Sequence, residues 1–433
     1  MDGGSTAFTG NMQHPVPVTV LVNMKLLYQD EIHENLCVIL QDGIIADIFP
    51  DNQLPAFLET CGAERNTIGV TTVDCNQHFL SPGFIDLQVY GSGGLLFGTY
   101  PDASTLERME IDLLTQGTTG FLATMATNTL EIFEKGFGAA HAHTESDRFK
   151  GSFWGLHLEG PYISVVKRGA HPAEYIRTPT EEEVETLLVQ AKGSLKMMTI
   201  APELVALEVR KVLKSHNVVL SSGHSNATLT EGMEFLADGT VSAVTHLYNA
   251  MPPMFHRPGS VGYIPAVFSH QPFTSIIADG IHVDYAMFDL AKRELKDKLF
   301  LITDAVTETS EGIYQHHLHI EKRKQLNDKT GDIDEVEISR KYVMPDGTLS
   351  GSALTMLMAV RNCVQNCNIS LCEAVRMASL YPAQLLGVQD RVGSIERGLS
   401  ADLCLFNSNF DIVSTYKNGV CAYVNMNITA PPN

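Results

Sequence analysis

The chain has 433 residues, of which 44% are hydrophobic and 18% charged, a composition typical of a globular protein with a large buried core. Its formal net charge of -20 argues against broad, non-specific binding to nucleic acids or to acidic membranes. An anionic small molecule is still compatible with that charge, because a local pocket of Arg and His can oppose the global field.

The lack of a recognisable signal peptide and the pattern of cysteines both indicate a cytoplasmic protein. The N-terminus has no basic region followed by an apolar stretch, so we expect no signal peptide, and no apolar run reaches the length of a membrane span. Cys363, Cys367 and Cys372 lie close together on a predicted helix, where a zinc site is one interpretation. No second Cys/His pair completes a zinc pattern, so we favour reduced thiols in a cytoplasmic core.

Both ends of the chain predict strands. Residues 1–16 are polar, contain Gly and Pro, and are expected to be disordered. Residues 17–80 contain short apolar runs separated by turns, and residues 388–433 repeat that pattern with a hairpin turn at Asn418-Gly419. We therefore expect one small β-sandwich domain that is built from both termini.

The middle of the chain, residues 81–387, alternates strand-like apolar runs with amphipathic helical segments. Eight such strand–helix units predict an α/β fold, the (β/α)8 or TIM barrel. A doubly wound open sheet is the rival fold, but no glycine-rich dinucleotide fingerprint follows a strand. The eight strand-like runs are GFIDLQVYG, TGFLATMAT, FWGLHLEGP, LKMMTIAPE, VVLSSGHS, VSAVTHLYNA, TSIIADGIHV and LFLITDAV.

Two segments interrupt this alternation. Residues 251–271 form a long connection rich in Pro and Gly after the sixth strand, and long loops at that end of a barrel are usually functional. Residues 311–346 are polar and predict a surface β-hairpin insertion. The insertion carries His316, His317 and His319, which could bind metal, although an exposed polar hairpin is the interpretation we favour.

Active sites of such barrels form at the carboxyl ends of the strands, and five of the eight predicted strands end in Glu, Asp or His. A single His or Asp at such a place is usually structural, so it is the convergence that indicates a site. Glu159, His224 and His246 would supply one carboxylate and two imidazoles with an open position for water, the pattern of catalytic zinc. Asp304 is placed to accept a proton from that water and to pass it to a leaving group.

Three further polar residues near these strand ends predict supporting roles. His157 lies on the same face of its strand as Glu159 but one layer deeper, so we expect it to support the site or the core rather than to bind metal. Asp86 is expected to anchor the end of the first strand through hydrogen bonds to neighbouring strands. Glu203 follows the fourth strand, where a structural role is the default for a pocket carboxylate.

Eight motifs together resemble the N-acetylglucosamine-6-phosphate deacetylase family of the amidohydrolase superfamily, and the resemblance covers nearly the whole chain. It implies hydrolysis of N-acetyl-D-glucosamine 6-phosphate to D-glucosamine 6-phosphate and acetate, in the breakdown of amino sugars. The motifs are PGFIDLQ (82–88), HLEGP (157–161), KRGAHP (167–172), SSGHSNA (221–227), THLYNAMPP (245–253), ADGIHVD (278–284), ITDA (302–305) and LSGSALTM (349–356).

The same resemblance implies a role for each matching residue. Glu159, His224 and His246 would hold one divalent metal ion, Zn²⁺ by preference, and Asp304 would be the catalytic base and then the acid. His171 would also be catalytic, through contact with the sugar and the acetamide carbonyl. The implied substrate contacts come from Ala170, His171, Asn249, Ala250, Arg257, His282, Leu349, Ser350 and Gly351.

Two of these contacts would form the phosphate site and point to a dimer. Arg257 and His282 would meet the phosphate, for which forked cationic donors are well suited. In the resembled family the loop that bears this Arg can reach a neighbouring subunit. A homodimer is therefore implied.

The first strand predicts how many metal ions the site takes. Many amidohydrolases end this strand in His-x-His, which binds a second metal, whereas Gln88 and Tyr90 stand at those two places here. Neither side chain is a good ligand for a transition metal, so we expect a single-metal site.

Two alternatives stay open beside the deacetylase. One is another mononuclear amidohydrolase that acts on a different amide. Relatives whose two metals are bridged by a Lys are disfavoured, because the end of the fourth strand, MTIAPE, has no Lys at that place. The other is a catalytically inactive scaffold protein, against which the presence of all three ligand residues and the base argues.

Overall fold

The computed structural model describes residues 17–63, 69–326 and 333–429, and its centre is a sheet of eight parallel strands. Neighbours along the chain are neighbours in the sheet, and a bridge between Val89 and Ala305 joins the last strand to the first. Each strand coincides with one of the eight predicted runs to within one residue at its start, so the predicted barrel is confirmed. The strands are β1 (Phe84–Val89), β2 (Thr118–Ala126), β3 (Phe153–Glu159), β4 (Leu195–Ile200), β5 (Val219–Ser222), β6 (Ala243–Val244), β7 (Phe273–Ile277) and β8 (Leu299–Ile302).

Helices follow every barrel strand and cover the outside of the sheet. Because both faces of the strands are covered, β1, β2 and β8 are buried at every position. Short polar caps begin several helices: the Thr228 side chain, for example, forms a reciprocal capping box with Glu231. The helices are α1 (Ala103–Thr115), α2 (Leu130–Thr144), α3 (Glu181–Ala191), α4 (Leu207–Ser215), α5 (Leu229–Ala237), α6 (Ile264–His270), α7 (Tyr285–Leu295), α8 (Met356–Asn366), α9 (Leu371–Ala378) and α10 (Leu380–Leu386).

Two antiparallel-rich sheets outside the barrel form the predicted β-sandwich from both ends of the chain. In the larger sheet Leu403–Phe406 pairs with Phe79–Pro82, and a shared apolar cluster joins it to the smaller sheet. The larger sheet has the order Val420–Val424, Ile412–Lys417, Leu403–Phe406, Phe79–Pro82, Lys25–Tyr28, Glu31–His33. The smaller has the order Ile44–Pro50, Leu36–Gln41, Val18–Val22, Val70–Asp74.

Two short helices also lie outside the barrel, at Leu54–Ala63 and Met426–Thr429. The domain boundaries expected from the sequence stay a prediction, and the segment 1–16 that we expected to be disordered lies outside the described residues. Within the described part of the chain, no helix combines the length and apolar character that a bilayer crossing requires.

The insertion after β8 contains an antiparallel hairpin, His317–Leu326 with Ile333–Val343. Our placement of His316 on an exposed hairpin is wrong. His316 lies just before the first hairpin strand and is only 2% exposed, because its Nε2 atom lies 3.0 Å from the Ser350 hydroxyl and the ring packs into the barrel mouth. His319 is exposed, as predicted.

The clustered cysteines lie at the end of α8 and the start of α9. Cys363 and Cys367 are buried, and burial raises the pKa of the Cys367 thiol to about 11. All three are free, and the metal-competent group found among the described residues contains no cysteine. These features agree with the reduced-thiol interpretation rather than with a zinc site.

Candidate active site

The residues predicted for the metal and the base all lie at the carboxyl rim of the barrel. Glu159 is the last residue of β3, and His224, His246 and Asp304 each come two residues after β5, β6 and β8. The last three adopt left-handed backbone conformations, with φ of 48°, 33° and 55°. Non-glycine residues rarely hold such angles, and such strain is concentrated at functional sites.

Three of these side chains converge on one point. The His246 Nε2 atom lies 3.0 Å from Glu159 Oε1 and 3.1 Å from His224 Nε2, and His224 Nε2 lies 3.3 Å from Glu159 Oε1. All three are buried. The His224 Nδ1 atom is 2.8 Å from the Lys167 carbonyl, to which it can only donate, so its Nε2 atom in the neutral ring carries a lone pair. Lone pairs of two imidazoles and a carboxylate facing one another fit a cation between them, and this donor set suits a divalent transition metal.

The electrostatics of the cluster agree with that fit. Burial alone would raise the pKa of Glu159, but the His224 charge and the hydrogen bonds of the surrounding imidazoles hold it well below its usual value. Burial lowers the pKa of His246, so this ring is neutral and able to offer a lone pair. The cluster therefore has an ionised carboxylate at its centre.

A fourth imidazole, His171, also reaches Glu159. Its Nε2 atom lies 3.1 Å from Glu159 Oε2, and Glu159, His171 and His224 have possible ligand atoms within 4.8 Å of one another. The His171 Nδ1 atom accepts a hydrogen bond from the Thr127 amide at 3.3 Å, and burial lowers the pKa of His171 to about 4. The Nδ1 atom also lies 2.7 Å from the Thr127 hydroxyl. In the tautomer whose Nδ1 accepts from the Thr127 amide, the neutral ring carries its proton on Nε2 and is there a hydrogen-bond donor.

Gln88 and Tyr90 complete the cluster from the end of β1. The Gln88 side-chain amide donates to Asp304 Oδ1 at 2.8 Å and to Glu159 Oε1 at 3.0 Å. The Tyr90 hydroxyl donates to Glu159 Oε2. These two side chains thus fill, with hydrogen-bond donors, the space next to the two carboxylates.

Asp304 is buried and faces that amide. Burial raises its pKa well above the usual value, and the nearby Glu159 charge raises it further. Its backbone is fixed on both sides, since its amide donates to the Gln88 carbonyl at 2.9 Å and its carbonyl accepts from the Ser352 amide at 2.8 Å. Asp304 is therefore held rigidly with one carboxylate oxygen directed to Gln88.

A cavity of about 200 Å³ opens above the cluster and gathers most of the substrate contacts expected from the sequence. Arg257 does not line it, because it lies on an exposed stretch of the loop after β6. The predicted residues that line the cavity are Glu159, Ala170, His171, His224, His246, Asn249, Ala250, His282, Asp304, Leu349, Ser350 and Gly351.

His282 is fixed by its own strand end. Its Nδ1 atom lies 2.6 Å from Asp279 Oδ2, and the Asp279 carboxylate also accepts from the Ile281 and His282 amides, both at 2.8 Å. Burial would raise the pKa of Asp279, but the hydrogen bond from His282 lowers it, so the carboxylate is ionised. This pairing holds the imidazole at the cavity wall.

His157, Asp86 and Glu203 support the site through hydrogen bonds, as expected from the sequence. His157 is buried between the Leu87 carbonyl (2.9 Å) and the Thr199 hydroxyl (2.8 Å), below the cluster. Asp86 accepts from the amide and the hydroxyl of Thr303, which joins β1 to the end of β8. The Glu203 carboxylate holds the loop after His224 by accepting from Ser225 Oγ and the Asn226 amide.

Several cavity residues were not predicted from the sequence. They are mostly apolar, and an apolar residue at a strand end is not distinguished by sequence from one in the core. Ala126, Ile277 and Val306 did carry one signal, since they lie at or just beyond the ends of barrel strands. Beside Tyr90, which the sequence analysis discussed only as a non-ligand, the further cavity residues are Leu96, Gly98, Ala126, Gly169, Ile277, Val306, Tyr314 and His316.

Comparisons with known proteins agree with this site. The model of the amidohydrolase family matches residues 79–422. Over 401 residues, 92% of this chain and 98% of the relative, the sequence is 32% identical to the N-acetylglucosamine-6-phosphate deacetylase of Haemophilus influenzae. It is 34% identical to the deacetylase of the same name from Bos taurus, over 80% of this chain and 84% of that one. The crystal structure of N-acetylglucosamine-6-phosphate deacetylase from Pasteurella multocida superposes with a TM-score of 0.80 at 31% identity, over 94% of this chain and 100% of that one. The chain belongs to the amidohydrolase family and, within it, to the N-acetylglucosamine-6-phosphate deacetylases.

Proposed function

We propose that the chain hydrolyses the acetamide of N-acetyl-D-glucosamine 6-phosphate, releasing acetate and D-glucosamine 6-phosphate, as the names of its relatives indicate for them. The amidohydrolase family is metal-dependent, and the observation that carries the proposal is the convergence of Glu159, His224 and His246 beside Asp304. Such a step serves the breakdown of amino sugars.

We propose one Zn²⁺ per chain, held by Glu159, His224 and His246. His246 is preferred to His171 as the third ligand because the His171 Nε2 atom carries a proton, whereas the His246 ring is free to present a lone pair. Gln88 and Tyr90 argue against a second ion, since both offer donors where a second metal needs acceptors. When bound, such an ion activates water at neutral pH and polarises a carbonyl group.

The protein side chains would divide the remaining chemistry among them. Asp304 would take a proton from the attacking water and then deliver it to the leaving amine, and Gln88 holds one of its oxygens so that the other is free for the proton. The His171 Nε2–H group would donate a hydrogen bond to the acetamide oxygen, where negative charge develops during the reaction. A bound cation would also favour the ionised form of Asp304, which its burial opposes.

We further propose that the active unit is a homodimer. His282 lies at the cavity wall, but Arg257 is exposed and does not line the cavity of its own chain. The loop that bears Arg257 also exposes Met254 and Phe255, at 41% and 57%, which favours burial against another subunit. In a dimer, Arg257 would reach the phosphate of a substrate in the neighbouring cavity.

A cytoplasmic location is proposed from the thiols. All seven cysteines with described side chains are free, and most are buried. Thiols persist in reducing compartments, whereas secreted proteins tend to pair them.

The test is an acetate-release assay on N-acetylglucosamine with and without the 6-phosphate, together with elemental analysis of the purified protein. We expect one equivalent of metal and turnover of the phosphorylated sugar alone at a high rate. Equal rates on both sugars would contradict the phosphate site, and turnover by His224→Ala equal to wild type would contradict the metal ligands. Absence of acetate release from either sugar would favour a different amide as the substrate.

A further inference from the structure

The cavity contains an apolar cluster that the roles above leave unused. Leu96, Ala126, Val306 and Tyr314 are buried against one another, Tyr90 packs on them, and all five line the cavity. Ala126 ends β2, Tyr90 follows β1, and Val306 follows β8. These three strands are adjacent in the closed barrel, so the cluster covers one side of the cavity mouth. We call these five residues the acyl wall.

The other side of the cavity is polar. Asn249 follows β6 and His282 follows β7, and both present nitrogen-bearing side chains to the cavity. The apolar residues on this side are the small Ala250 and the wholly buried Ile277. The cavity therefore has a half above β6 and β7 where Asn249 and His282 are the large side chains, and a half above β8, β1 and β2 where the acyl wall lies beside Asp304.

The acyl wall directly adjoins the groups that would act on the amide. The Tyr90 hydroxyl contacts Glu159, and the Tyr314 ring lies 6.2 Å, edge to face, from the His171 ring. The Tyr314 hydroxyl donates its one proton to the Thr127 carbonyl at 2.7 Å, so it has no proton to donate to a ligand. A group next to the reacting carbonyl would thus meet mainly the carbon atoms of Leu96, Ala126 and Val306 on this side.

Resting on the proposed function, we propose that the acyl wall receives the N-acyl substituent of the substrate and sets the length of acyl chain that is hydrolysed. The sugar hydroxyls and the phosphate are polar and match the half above β6 and β7, whereas the methyl group beside the carbonyl is the apolar end of the molecule. Moving a methyl group from water into such apolar surroundings is favourable, because its surface is removed from water. Leu96 and Ala126 would then limit the room beyond the methyl group.

The experiment compares wild type with Leu96→Ala and Ala126→Leu on glucosamine 6-phosphate carrying N-formyl, N-acetyl or N-propanoyl groups. We expect Leu96→Ala to raise the ratio of kcat/KM for propanoyl over acetyl by about tenfold or more, the usual effect of one methylene in an apolar pocket. Ala126→Leu should lower the ratio of kcat/KM for acetyl over formyl by a similar factor. Leu106→Ala, which removes an equally buried Leu from α1 outside the cavity, is the matched control and should leave both ratios unchanged.

Three outcomes separate the inferences. In the first outcome, wild type turns over the acetyl substrate and both wall variants keep their kcat/KM ratios within about twofold of wild type. This result would overturn the acyl wall and leave the proposed function standing. A changed preference between N-acetylglucosamine and N-acetylmannosamine 6-phosphates, with unchanged acyl ratios, would assign the wall to the sugar ring instead. Failure of wild type to release any of the three acids would overturn the proposed function and the acyl wall together.

Discussion

Replacing Tyr90 by Phe removes one hydroxyl from the proposed metal site and should weaken metal binding. The phenol donates to Glu159 Oε2, and the same oxygen receives the His171 Nε2 proton at 3.1 Å. Gln88 supports the other carboxylate oxygen at 3.0 Å. Loss of a hydrogen bond that orients a metal ligand typically costs about 10- to 100-fold in affinity. Because two donors to Glu159 remain, we expect the lower end of that range, about tenfold.

The affinity is best measured by titrating metal-free protein with Zn²⁺ in competition with a chromophoric chelator. Tyr162→Phe is the matched control, since the Tyr162 hydroxyl donates to the Glu183 carboxylate at 2.9 Å and Tyr162 does not line the cavity. The control should bind Zn²⁺ as wild type does. Equal or tighter Zn²⁺ binding by Tyr90→Phe would refute the role of the phenol in orienting Glu159.

Further substitutions separate chemistry, metal binding, assembly and stability. Asp304→Asn should lower kcat by about a hundredfold to ten-thousandfold while the protein keeps its metal, and near-normal kcat would exclude Asp304 as the base. His246→Ala should lose the metal in elemental analysis; full retention would favour His171 as the ligand. Arg257→Ala should raise KM for the phosphorylated sugar by about tenfold or more, with no effect on the unphosphorylated one, and a uniform loss on both would contradict its phosphate role. Burial alone would raise the pKa of Glu110, but the hydrogen bonds from His143 and the nearby amides lower it below 4.5. The stability that Glu110 contributes is therefore present above pH 4.5 and is lost as the pH falls below it. In urea denaturation Glu110→Gln should therefore be less stable than wild type at pH 7, with a gap that narrows below pH 4.5, and a constant gap would contradict this linkage.

The barrel and the reacting groups could be predicted from the sequence because both depend on local pattern. Buried parallel strands are continuous apolar runs, and in this chain each run ends in a turn that marks the active face. Glu159, His224, His246 and Asp304 stand at those ends, so their convergence follows from the topology alone. Gln88 and Tyr90 were predicted as non-ligands from their chemistry, but their shared contact with Glu159 needed the three-dimensional structure.

The parts that sequence reasoning missed depend on contacts between distant segments. His316 looked exposed because its segment is polar, but its burial comes from Ser350, 34 residues further along the chain. Leu96 lies in a short strand after β1 and Tyr314 in the segment after β8, and only tertiary packing brings them together. A periodic pattern carries no information about such pairs.

The most direct test of the single-metal site is to titrate metal-free protein with Zn²⁺ while acetate release from N-acetyl-D-glucosamine 6-phosphate is recorded. We predict that activity rises from near zero and reaches its plateau at one equivalent of Zn²⁺ per chain. Full activity of the metal-free protein, or a plateau only at two equivalents, would contradict the single-metal site built from Glu159, His224 and His246.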